Sequence, residues 1–171
     1  MDLLIKVMAD GLVIPVLLLA AYAVLTLPND KRWQAITRGV VVALTALLFA
    51  KFIAQFYQGI RPFETLGVAP RASFLPNPGF PSDHALLVTT ATVVTWAATR
   101  RKMLSLIVLV LSVLVGLGRV IALVHTPLDI IGGVVCVVLA GLVWYGPRLR
   151  QDYYGNQVNK VTGKIKLATR K

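Results

Sequence analysis

The sequence is poor in the groups most enzymes draw on. It has one cysteine, Cys136, so no internal disulfide can form, and the apolar run around that thiol points to packing. There are two histidines, His84 and His125, and seven acids: Asp2, Asp10, Asp30, Glu64, Asp83, Asp129 and Asp152. Only Glu64, Asp83 and Asp129 fall near the histidines, and they are not spaced like the carboxylate cage of a two-metal site, so no metal and no cofactor is expected. Charge is scarce too, at 15% of residues, where soluble domains run near a quarter. No repeat appears, which counts against the inverted halves common in transporters.

What the chain has is apolar sequence in blocks, 57% of it hydrophobic. A helix needs about 20 such residues to cross a bilayer. Five stretches qualify: Leu3 or Gly11 to Leu27, Ile36 to Tyr57, His84 to Thr99 (the shortest), Met103 to Leu123 and Leu128 to Tyr145. Backbone groups in lipid must pair within their own segment, so uncharged runs of this length read as helices. The expected fold is all-α, a polytopic membrane bundle of about five or six transmembrane helices over residues 1–148, followed by a basic tail over 149–171. A cleaved signal peptide is the rival reading of the first run. Against it, Asp2 and Asp10 break the positive start, and the run continues to Leu27.

The net charge of +11 invites a nucleic-acid reading, which its distribution opposes. Thirteen of the 18 basic residues gather on one face of a five-helix layout: Lys31, Arg32 and Arg38, then Arg100, Arg101 and Lys102, then Arg148, Arg150, Lys160, Lys164, Lys166, Arg170 and Lys171. The positive-inside rule makes that face and the tail cytoplasmic, in a plasma membrane whose anionic lipid accounts for the charge. Trp33, Trp96 and Trp144 fall near helix ends on that side and read as interfacial anchors. Gly116, Gly118, Gly132, Gly133 and Gly141 read as sites of close helix packing. The partners expected are membrane lipids, with no nucleic acid; the oligomeric state is left open.

The opposite face carries the chemistry. A proline- and glycine-rich loop opens with Arg61-Pro62 and closes on Pro81-Ser82-Asp83-His84; a tighter one holds Gly118-Arg119 and His125-Thr126-Pro127-Leu128-Asp129. Topology puts both loops on one side, so these residues can converge. Arginine forks and the hydroxyl of Ser82 suit phosphate oxygens. One imidazole can attack phosphorus and the other protonate the departing oxygen. Asp129, four residues after His125, shares its face if the last helix starts early enough, and would hold one ring nitrogen protonated. Structural alternatives stand beside each role. Ser82 and Asp83 can be ordinary helix caps, Asp129 a carboxylate of the last helix's first turn, Arg61 and Arg119 interface anchors, and Lys51 a snorkelling lysine. Glu64, Asp10 and Arg71 read as structural or solvated.

These blocks resemble the three signature motifs of the type 2 phosphatidic acid phosphatases. The resemblance implies a helical membrane phosphatase in which His125 is the nucleophile that becomes a phosphohistidine. Asp129 orients it, His84 protonates the leaving group, and Arg61, Ser82 and Arg119 bind phosphate. Three positions depart from the family pattern. Its first-motif lysine falls on Ala54, with Lys51 one turn earlier able to reach over. The serine before the third-motif arginine is Gly118. The usual second-motif glycine is Asp83, as in undecaprenyl-diphosphatases of the bacitracin-resistance type. An isoprenoid diphosphate facing the outer leaflet is therefore the first substrate expected. A phosphatidylglycerophosphate or phosphatidic acid phosphatase, or a lipid-binding or transport protein without turnover, are the rivals.

Overall fold

The computed structural model describes residues 2–77 and 79–168, and side chains as far as 147 except that of residue 78. The basic side chains from Arg148 to Lys171, assigned above to a tail, lie outside the described residues. Its elements in order are α1 (Asp2–Lys6), a π-helical turn (Val7–Gly11), α2 (Val13–Leu25), α3 (Asn29–Ile53), the short α4 (Pro62–Thr65), α5 (Asp83–Thr99), α6 (Lys102–Ile121) and α7 (Pro127–Ala168). The described residues contain no strand, and the chain is an all-α membrane protein. Four segments are long and apolar enough to cross a bilayer: Asp2–Leu25, Asn29–Ile53, Lys102–Ile121 and Pro127–Pro147.

α5 has 17 residues, a length of about 25 Å at 1.5 Å per residue against a hydrocarbon core of about 30 Å. It tolerates that length because it runs through the middle, packed on α2, α3, α6 and α7. Most of its threonines do not present bare hydroxyls to the apolar surroundings: Thr90, Thr92, Thr95 and Thr99 each donate to the carbonyl four residues back.

The interior is made of small side chains. Ala9, Ala20, Ala23, Ala46, Ala50, Ala91 and Ala140 are buried, while Leu18, Leu48, Met103 and Leu142 point outward. Lipid tails are as apolar as leucine, so helices in a membrane gain by close backbone approach instead of by hiding large side chains. The glycines follow suit. A Cβ on Gly133 would lie 2.9 Å from Ala85 Cβ and 3.0 Å from the Ser82 carbonyl, and one on Gly118 would lie 2.7 Å from the backbone of Met8 and Ala9. Cys136 is buried in the cluster shared by α3, α5 and α7, in the packing role expected of it.

Several boundaries differ from those read from hydropathy. α3 starts at Asn29, seven residues before Ile36, because the run of polar residues after Pro28 is helical; it stops at Ile53. Lys31 and Arg32 therefore lie on its first turns, not in a loop. The helical backbone of α7 passes Tyr145 and Pro147 and continues to Ala168. The first crossing is not one regular helix but two joined by the π turn at Val7–Gly11, with one extra residue accommodated at Asp10's level.

Candidate active site

At one rim of the bundle the N-terminal segment, the 54–82 connection, the start of α5, the end of α6 and the start of α7 come together. Arg61, Ser82, Arg119, His125 and Asp129 are all buried there.

The start of α7 fixes His125 against Asp129. Thr126 caps the helix with Pro127 at its first position: Asp129 N donates to Thr126 Oγ1 at 3.3 Å, and Thr126 N donates to Asp129 Oδ2 at 2.7 Å. This is a capping box closed by aspartate, so the structural role considered for Asp129 is present. The same Oδ2 also faces His125 Nδ1 at 3.5 Å. His125 precedes the helix, so the pair meets across the capping turn and not along a shared helical face, as the four-residue spacing had suggested. His125 Nδ1 and Asp129 Oδ1 have no hydrogen-bond partner although buried.

Ser82 is the N-cap of α5, its Oγ accepting from Ala85 N at 3.4 Å. Its own N–H donates to the Asp129 carbonyl at 3.0 Å, which ties the start of α5 to the start of α7. The close approach at Gly133 lets that bond form. His84 follows in the first turn of α5, partly exposed, on the same rim as His125. Asp83 points aside, where its Oδ2 accepts from Asn77 Nδ2 at 3.1 Å. Lys51 is exposed on the last turn of α3 and lines a small cleft of about 140 Å³ with Asn77, Phe80 and Asp83. Lys51 and Asp83 thus form a margin of the site, beside the buried group and not within it.

The arginines are held by backbone carbonyls. Arg61 Nη1 donates to the Val124 carbonyl at 2.8 Å, and its Nη2 reaches the Leu75 carbonyl at 3.0 Å and Asn77 Oδ1 at 2.8 Å. The guanidinium also stacks over Phe74. It stitches the long connection to the turn that presents His125. Burial pulls its pKa down from the ordinary guanidinium value, and the charges of Glu64, Asp129 and Asp83 pull it back. Arg119, in the last turn of α6, is 1% exposed. Its Nη1 donates to Asp10 Oδ1 at 2.7 Å and to the Ser73 carbonyl at 2.6 Å, while its buried Nε has no partner.

Asp10 is the residue that sequence reasoning passed over. Set aside as structural or solvated, it sits on the π turn with Oδ1 on Arg119 and 3.9 Å from His84 Nε2, and Oδ2 accepting from Ser73 N at 2.9 Å. The available signal was a carboxylate inside an apolar membrane run, a placement that demands a partner. Among the described residues, no three His, Cys, Asp or Glu side chains are grouped to hold a metal ion.

Directly beneath the rim an apolar cavity of about 370 Å³ opens between α5, α6 and α7, lined by Ala85, Gly116, Val120, Pro127 and Ile130 among others. It shares Thr92 and Leu109 with a second cavity of about 280 Å³ that runs past Trp96 towards Tyr145.

Two buried guanidinium groups, two imidazoles and the carboxylate of Asp129 thus meet at one rim of a helical membrane protein, above an apolar groove. The chain belongs to the PAP2 superfamily, whose family model matches residues 34–152. Members of that superfamily are phosphatases, and membership points to chemistry on lipid phosphates. No curated protein and no solved structure matches the chain. The matched span holds all three motifs and leaves out the N-terminal helix that carries Asp10.

Proposed function

We propose that this protein is an integral membrane lipid phosphatase that hydrolyses undecaprenyl diphosphate, or a related isoprenoid diphosphate, to the monophosphate. The observation that carries the reading is the burial of His125 against Asp129 on the rim where His84 and the unpartnered Nε of Arg119 also sit.

Asp129 Oδ2, 3.5 Å from His125 Nδ1, favours the tautomer with the proton on that nitrogen and leaves Nε2 with its lone pair. Nε2 attacks the terminal phosphorus; the N–P bond forms as the P–O bond to the lipid monophosphate breaks. His84 gives its proton to that departing oxygen. Water then attacks the phosphohistidine, His84 takes a proton from it, and the P–N bond breaks to release inorganic phosphate. Arg119 and Arg61 offset the charge on the phosphoryl oxygens, with Ser82 and the N-terminal amides of α5 beside them. Lys51 and Asp83, at the margin, face whatever lies beyond the reacting phosphoryl group. Asp83 in place of glycine supports a diphosphate substrate, and the groove between α5, α6 and α7 supports a long apolar tail.

The test is phosphate release by purified protein, in chelator, from undecaprenyl diphosphate, phosphatidylglycerophosphate and phosphatidic acid. Turnover is expected to be fastest on the diphosphate; equal rates on all three remove the substrate preference. His125→Ala is expected to lower kcat at least about a thousandfold in a protein that still inserts and folds. Retained activity in that variant rules out the phosphohistidine route.

A further inference from the structure

The N-terminal segment brings a carboxylate into a site whose motif residues all come from later in the chain. Two features show that the approach is built in. The π turn at Val7–Gly11 carries Asp10, and such turns are frequent at functional sites. The backbone of Met8 and Ala9 also lies so close to α6 that a Cβ on Gly118 would fall 2.7 Å from it. Position 118 is where the resembling family has serine. Here the missing side chain leaves room for the backbone that delivers Asp10 to the neighbouring Arg119.

We propose that Asp10 is a positioning residue of this site, aiming the Arg119 guanidinium and setting a negative charge beside His84. Arg119 Nη1 has two hydrogens, and Asp10 and the Ser73 carbonyl take both. The bare Nε is left turned to a different acceptor, and a phosphate oxygen is the acceptor the proposed function supplies; the inference rests on that reading. The charged neighbours of His84 are Asp10 from the N-terminal segment, Arg119 from α6, His125 from the turn before α7, and Asp83 on its own helix. Asp10 comes within ion-pair distance of the imidazole, at 3.9 Å. A fixed anion there favours the proton-bearing imidazole that the leaving group needs, offsetting part of the opposition from burial, Arg119 and His125. It also opposes a phosphate dianion held on the same guanidinium, so the released product is bound less tightly.

Those two effects give Asp10→Asn an unusual signature. The amide keeps an acceptor for Arg119 and loses the charge. Turnover of a short-chain lipid phosphate is expected to fall about tenfold while inorganic phosphate binds about tenfold more tightly, read by titration calorimetry on the full chain in detergent. A carboxylate that only anchored the N-terminal helix would give slower turnover with unchanged or weaker phosphate binding. Asp10→Glu keeps the charge and is expected to move both quantities back towards the parent protein. Phosphate affinity in Asp10→Asn equal to or weaker than the parent's overturns the proposal, as does an unchanged kcat. Should Asp10→Asn not fold, Gly118→Ala, whose Cβ displaces the Met8–Ala9 backbone, is expected to show the same paired change; parent values for both overturn it. Phosphate affinity is measured without turnover, so a parent protein that binds phosphate yet hydrolyses no lipid phosphate counts against the proposed function and leaves the test of Asp10 standing.

Discussion

Asp129 serves two neighbours with one oxygen: Oδ2 receives the Thr126 amide at 2.7 Å and faces His125 Nδ1 at 3.5 Å. The two duties separate by mutation. Asp129→Asn keeps a carbonyl acceptor for the cap, so stability is expected to change by less than about 1 kcal/mol. The amide no longer fixes the imidazole tautomer, and kcat is expected to fall roughly a thousandfold. Thr126→Ala does the reverse, removing only the hydroxyl that caps α7, for a loss of about 1 kcal/mol in thermal or denaturant unfolding with kcat nearly unchanged. An Asp129→Asn protein that turns over at the parent rate rules out the orienting role. At this scale the sequence was informative wherever chemistry narrows the choice of residue. The two histidines could be placed because the chain has no others, and Arg61 and Arg119 because they fall in the motif blocks. Asp10 could not, because nothing in its neighbourhood names Arg119, 109 positions later, as its partner; that contact depends on a π turn and on Gly118, which only three dimensions reveal.

The helices were legible as runs because the bilayer sets their length, and their ends were not, because polar first turns such as Asn29–Arg32 remain helical outside the hydrocarbon. α5 was read with nearly its observed bounds. Its central position was not readable, since hydropathy cannot tell a lipid-facing helix from one wrapped by four others. Packing of those helices leaves the apolar groove between α5, α6 and α7. Its upper end touches the backbone of the site: Ala85 follows His84, Val120 follows Arg119, and Ile130 follows Asp129. A lipid whose headgroup is seated at the rim has this groove as the nearest apolar path for its tail. Val113, an exposed wall residue of the groove midway along α6, is far enough from the motif residues to test that path. Val113→Trp is expected to raise KM for a long-chain lipid phosphate several-fold and to leave kcat/KM for a short-chain, water-soluble analogue at the parent value. Equal loss on both substrates would mean that the substitution distorts the bundle and that the tail lies elsewhere.

For the molecule as a whole, the order of crossings sets the side of the site. The N-terminal segment, the 54–82 connection and the turn between α6 and α7 meet at one rim, and the α2–α3 and α5–α6 links lie at the other. The second rim collects Lys31, Arg32, Arg100, Arg101 and Lys102, with Trp33 and Trp96 exposed beside them. Moving those cations across the membrane is opposed both by the translocation bias against Lys and Arg in short loops and by the loss of anionic lipid on the cytoplasmic leaflet. On that ground we propose that the motif rim faces outward. The lone thiol makes this measurable, because Cys136 is buried in the bundle core and should stay silent towards a bulky, membrane-impermeant maleimide. Glu64→Cys places an exposed thiol on the motif rim and Lys102→Cys one on the basic rim, both at positions exposed in the fold. In intact cells Glu64→Cys is expected to label and Lys102→Cys to remain unlabelled until the membrane is permeabilised. The reversed pattern would turn the protein over, put its arginines and histidines on the cytoplasmic leaflet, and require a lipid phosphate presented from inside the cell.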